Sequence, residues 1–183
     1  WGGLYLIATH NGIPEKGVPR VDIGDYQAVK RHLESHWLRI EKRSDQGDTP
    51  YHLRSCAYME DLSKPKILWG EISDKTKFAL DAKGEYYAEA TTFLMTGKML
   101  PYLTCYLNSS LSEYLFSKIG TTTGVGTVRW KKYKIEQLFV PVVSQVQERR
   151  FVQLYNGVQA RSSTEADINA HIYAICGLSP QEI

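Results

Sequence analysis

The sequence is poor in what would place a chain in a membrane or a secretory route. No apolar run approaches the roughly 20 residues that span a bilayer, and the first residues lack the basic and apolar regions of a signal peptide. Cysteine is scarce: Cys56, Cys105 and Cys176 are odd in number and widely spaced, which argues against a disulfide framework and for reduced, buried thiols. The expected compartment is therefore the cytoplasm. Nucleotide-binding signatures are missing too. Gly126 is followed by Thr127 and Val128 instead of the Lys-Ser or Lys-Thr of a Walker loop, and no G-x-G-x-x-G follows a strand. Internal repeats and low-complexity tracts are also absent, which leaves an ordinary globular chain.

At 183 residues and 43% hydrophobic content, the chain can build one substantial core, or one domain with a small appendage. Its net charge is only +2, from 22 basic and 20 acidic residues, so no global field announces a polyanionic partner. The local distribution does. Between Lys118 and Lys134 there are five basic residues and no acid, whereas the rest of the chain, with 17 basic against 20 acidic, carries −3. That cluster follows the threonine- and glycine-rich loop of "TTTGVGTVRWKKYK", and cations on a polar loop are the footprint of phosphate contact. The chain opens on Trp1 without an initiator methionine and stops after "SPQE", where Ser179 and Glu182 have capping-box spacing, so an excised piece of a larger protein is expected.

Periodicity organises the rest. "GLYLIATHNGI" reads as a strand closed by Asn11-Gly12, and Tyr26, Val29, Leu33, Trp37 and Ile40 recur at helical spacing from Asp25 to Arg43. The middle third, rich in Ile, Leu, Phe, Tyr and Thr between Lys-Pro, Asp-Lys and Lys-Gly breaks, predicts a meander of strands. Helix returns from Met99 to Ile119, interrupted at "LNSS" and stopped at Gly120. A loop and a basic strand follow, then two closing helices in 144–163 and 164–178. Segregated strands and helices predict an α+β fold: a mixed or antiparallel sheet with flanking helices and a C-terminal helical segment.

Two constellations invite catalytic readings. His32 and His36 lie four apart on the first helix, but Leu33 occupies the position where a zinc protease needs Glu, and the C-x-x-C of zinc deaminases is missing. Two surface imidazoles are expected. Glu71, Asp81 and Lys83 loosely match the carboxylates and lysine of magnesium-dependent nucleases, while Asp81 and Gly84 also fit a hairpin tip.

The stretches "LRSCAY", "KPKILWGEIS", "LNSSLSEYLF", "VRWKKYKIEQLFVP" and "INAHIYAICGLSPQEI", in that order, resemble the C-terminal target recognition domain of TaqI-like adenine DNA methyltransferases, which type IIG restriction-modification enzymes also carry. The similarity runs from about residue 25 onward; Asn169 and His171 stand where that family has more acidic and aliphatic character. The resemblance implies a specificity domain that reads double-stranded DNA for a bacterial restriction-modification enzyme. In that family a separate catalytic domain binds S-adenosylmethionine and methylates a flipped adenine. This chain has neither the Asn-Pro-Pro-aromatic motif nor the glycine-rich cofactor loop, so a non-catalytic module without its own cofactor or metal is implied. S-adenosylmethionine, and Mg where the parent cuts, belong to the parent enzyme, and the partners implied are double-stranded DNA and the parent's methyltransferase domain. Residues 1–143 become the recognition domain and 144–183 its helical appendage.

Phosphate contacts position a protein on DNA and base-edge contacts specify sequence. The candidates for clamping the backbone are Thr121, Thr122, Thr123, Gly124, Gly126, Lys131 and Lys132. Arg54, Lys64, Lys66, Lys75, Lys77 and Arg129 are divided between phosphate and base-edge roles. Trp130 offers a flat face among the cations; for it, as for Trp69, core or hairpin packing is the competing reading. A metal-dependent nuclease, or a protein-interaction module that docks a partner subunit, stands as the alternative function.

Overall fold

The computed structural model describes residues 2–88, 90–124 and 126–183. Two compact units form, Trp1–Met59 and Glu60–Ile183.

The first unit is stapled by polar groups more than by a core. Thr9 Oγ1 donates to the Tyr51 carbonyl at 2.7 Å, Asn11 exchanges hydrogen bonds with Asp48, and Arg43 donates to the His52 carbonyl at 2.6 Å. His52 is buried between Thr49 Oγ1 and the Val21 carbonyl. The expected opening strand is not formed. Residues 4–8 carry no strand, and Leu4, Tyr5 and Leu6 stand exposed, because apolar residues make a strand only where a ladder and a buried face await them. The long helix also arrives in two pieces, α1 (Gln27–Glu34) and α2 (Trp37–Ile40). Ser35 Oγ turns back onto the His32 carbonyl at 2.6 Å, and a side chain that competes for the helical ladder in this way helps end α1 there. Val29, Leu33, Trp37 and Ile40 are only half-buried.

The second unit holds the hydrophobic core. Its meander is β1 (Lys66–Gly70), β2 (Ile72–Ser73), β3 (Ala79–Asp81) and β4 (Thr92–Thr96). β1 lies between β3 and β4 in one antiparallel sheet, with Ile67 opposite Leu80 and Met95. The chain then passes into a second antiparallel sheet at Glu71, whose N–H donates to the Thr91 carbonyl at 3.0 Å and whose carbonyl accepts from the Trp130 N–H at 2.7 Å. That second sheet is β2, β6 (Val128–Arg129) and β5 (Thr121–Thr122), with β6 central.

Helices α3 (Leu100–Leu107) and α4 (Ser110–Ile119) break where the sequence indicates, at Asn108-Ser109. Ser109 Oγ accepts from the Ser112 N–H, and the Asn108 side chain holds both the N–H and the carbonyl of Phe78. The basic strand is shorter than expected, since a turn of helix, α5 (Lys132–Ile135), takes over to bury Ile135. The closing helices are α6 (Gln145–Gln159) and α7 (Glu165–Cys176), each opened by a full capping box, from Ser144 with Gln147 and from Thr164 with Asp167. Phe151 and Leu154 of α6 and Ile172 of α7 enter the same core as Tyr102, Tyr106 and Phe116. Asn169 ties α7 to the start of α4, accepting from the Ser110 N–H at 3.0 Å and donating to Ser110 Oγ at 3.1 Å. The fold is α+β with two small antiparallel sheets and a C-terminal helical segment, and the three cysteines are free thiols.

The turn after β3 leaves no space. Gly84 has φ +72, and a Cβ there would stand 2.2 Å from the Ser63 carbonyl oxygen. Gly84→Ala should therefore cost about 2 kcal/mol, from left-handed strain plus the clash. Urea unfolding reads this directly; an unchanged midpoint would mean that the turn opens freely.

Candidate nucleic-acid interface

Alternation along β6 sorts its side chains. Val128 packs against the core and Trp130 is buried, while Arg129 and Lys131 keep side-chain exposures of 42% and 40%. Arg129 pairs across the ladder with Ile72 on one side and Thr121 on the other, both exposed, so these residues share the outer face of the small sheet. The hairpin closes through Thr123 and Thr127, whose hydroxyls stand 2.5 Å apart and whose backbones bond at 3.0 Å. Gly124 (φ +83) and Gly126 (φ +80) supply the left-handed turn, with open space where a Cβ would be. The tip therefore offers bare backbone at the protein surface, and Thr121 and Thr122 are exposed beside it.

The other expected residues divide. β2 runs antiparallel to β6, so it ends at the hairpin-tip side of the sheet, and exposed Lys75 and Lys77 follow in the next turn; Lys77 pairs with Asp74 at 2.6 Å. Lys64 precedes β1, paired to Asp61 at 2.8 Å. Arg54 is exposed in the first unit. Lys132 is exposed on α5, 3.6 Å from Glu136. Such exposed pairs are weak and screened by salt, so a phosphate can replace the acid.

Two candidates are corrected. Lys66 is fully buried, its ammonium donating to Asp81 Oδ2 at 2.5 Å and to the Leu62 carbonyl at 2.8 Å, so it presents no charge to a ligand. Trp130 is buried with its ring stacked on Phe116 at 4.0 Å, and it offers no free face to a base. The exposed aromatics near the cations are instead Tyr133, 5.9 Å from Lys134 Nζ, and Tyr114, 4.5 Å below Lys118 Nζ.

The catalytic constellations are occupied otherwise. Asp81 accepts from Lys66 and from the N–H groups of Gly84, Glu85 and Tyr86. Burial pushes its carboxyl up, but the Lys66 hydrogen bond and the backbone donors outweigh this and hold it at about 2. It is a structural counter-ion. His32 and His36 meet edge to face at 5.1 Å, and among the described residues no third His, Cys, Asp or Glu completes a metal set.

Glu71 is the residue that sequence reasoning misplaced. It lies 58 positions from Arg129, yet Arg129 Nη1 donates to its Oε1 at 2.8 Å and Lys131 Nζ stands 3.8 Å from the same oxygen. No spacing in the chain signals this contact; only the strand crossing at Glu71 creates it.

No helix among the described residues is long and apolar enough to cross a membrane. No curated protein matches the chain. The sequence model of the TaqI-like C-terminal specificity domain matches residues 25–141, which reach from the first helices through the cationic hairpin. The chain belongs to that family, the TaqI-like C-terminal specificity domains, non-catalytic modules for DNA recognition in restriction-modification systems.

Proposed function

We propose that the chain is the sequence-reading domain of an adenine-specific DNA methyltransferase, in some architectures fused to an endonuclease, working in the cytoplasm on double-stranded DNA. S-adenosylmethionine is held by the parent's separate methyltransferase domain, and Mg serves the parent where it cleaves. Residues 1–143 carry recognition and residues 144–183 brace it. The observation that carries the reading is the hairpin built on Thr121–Thr122 and Val128–Arg129, which puts bare glycine backbone at its tip, exposed threonines beside it and the half-exposed cations Arg129 and Lys131 on and just past its second strand. Exposed Phe139, Val142 and Val146 offer an apolar surface for the methyltransferase domain.

Lys131 and Lys132 provide the test. Changing both to Gln should weaken binding by about the same factor on every duplex and reduce the salt slope by up to about 2, since each phosphate contact contributes roughly 0.9 to it. Fluorescence anisotropy of the chain on labelled duplexes at several salt concentrations measures both quantities. An unchanged affinity and slope would remove the hairpin from the interface.

A further inference from the structure

A carboxylate is out of place in a phosphate clamp. Like charge repels, and yet Glu71 sits at the centre of the cationic cluster, touching both Arg129 and Lys131. Its backbone is fixed there, because its own N–H and carbonyl are bonded to Thr91 and Trp130, each next to a strand of a different sheet. The Arg129 guanidinium is thereby held through Nη1 on the exposed face of the central strand. Among the described residues, its remaining N–H groups donate to nothing and Glu71 Oε2 accepts from nothing. What stays without a partner among those residues is a set of guanidinium N–H donors on one side chain and a carboxylate oxygen on its neighbour, the two side chains being 42% and 27% exposed.

That order matches one base-pair edge. In the major groove a G·C pair presents two acceptors, guanine O6 and N7, followed by a donor, cytosine N4. We propose that Arg129 and Glu71 together read one G·C pair: Arg129 donates to guanine O6 and N7, and Glu71, besides positioning the guanidinium, accepts from cytosine N4–H. Lys131 offsets the second negative charge near the backbone. The inference rests on the DNA-recognition reading above and adds which base pair this face selects.

The experiment incubates the 183-residue chain with a duplex library randomised over its central positions, and sequences the retained fraction. The unaltered chain should enrich a motif containing a fixed G·C pair. Glu71→Gln and, separately, Arg129→Lys should each relax that one position by about 5- to 150-fold while the rest of the motif persists. Arg129→Lys leaves Glu71's backbone anchors in place, so it decides the matter should Glu71→Gln disturb the fold. Tighter binding of Glu71→Gln to all sequences alike, with the motif unchanged, would show that Glu71 only restrains phosphate contact and would overturn the proposal. So would relaxation at an A·T position. Failure of the unaltered chain to retain any duplex would instead defeat the DNA-recognition reading itself.

Discussion

Asp81→Ala should lower stability by about 3–5 kcal/mol, the usual cost of removing one partner from a buried ion pair. The substitution strips fully buried Lys66 of its counter-ion and deprives three backbone N–H groups, those of Gly84, Glu85 and Tyr86, of their acceptor. Lys66 keeps only the Leu62 carbonyl. In thermal unfolding this corresponds to a fall of roughly 6–20 °C for a chain of this size. The pH dependence follows from the same contacts. The carboxyl is held at about 2 against an ordinary 3.8, so its stabilisation is complete above about pH 4 and disappears as pH falls through 2. Asp81→Asn should accordingly unfold with a shallower acid limb over pH 4 to 2 than the unaltered chain. Identical acid limbs would mean that the carboxylate is not the buried partner described. A nuclease role for Asp81 makes a different demand: its loss would abolish magnesium-dependent cleavage and leave the melting temperature where it was.

The second large effect is at Trp130. Its ring stacks on Phe116 at 4.0 Å and meets Phe78 edge-on at 5.8 Å, and its carbonyl accepts from Trp69 Nε1 at 2.8 Å. Truncation to Ala empties the space between the small sheet and α4, which costs about 3–5 kcal/mol for a buried tryptophan. Trp130→Phe should cost far less, under about 1.5 kcal/mol, because it keeps an aromatic there and removes an indole N–H that has no hydrogen-bond partner among the described residues. Equilibrium denaturation of both variants gives the comparison. Were Trp130 a stacking platform for a base, Trp130→Ala would instead leave stability intact and reduce DNA binding alone.

Local signals were legible in the chain because they are resolved within a few residues. Ser109, Ser144 and Thr164 cap helices through N–H groups three positions on, so the breaks at "LNSS" and before the closing helices could be read directly. The same locality explains the errors. The apolar run at residues 4–7 resembles a strand in composition, but a strand exists only by pairing, and the sequence does not say that a partner is available. The first helix has the right period but breaks at Ser35, whose hydroxyl bonds the chain behind it.

The sequence by itself determined the α+β class, the capped helix starts at Ser109, Ser144 and Thr164, the family and the existence of one acid-free cationic hairpin, because spacing, capping chemistry and residue order carry these. Tertiary structure alone decided which cations remain available. Lys66 and Lys132 are equivalent letters in the chain, but sheet pairing brings Asp81, 15 positions away, against the first and leaves the second in water. It likewise brings Glu71 across 58 positions to Arg129. Burial and charge pairing are properties of neighbours in space, and long-range strand register sets those neighbours.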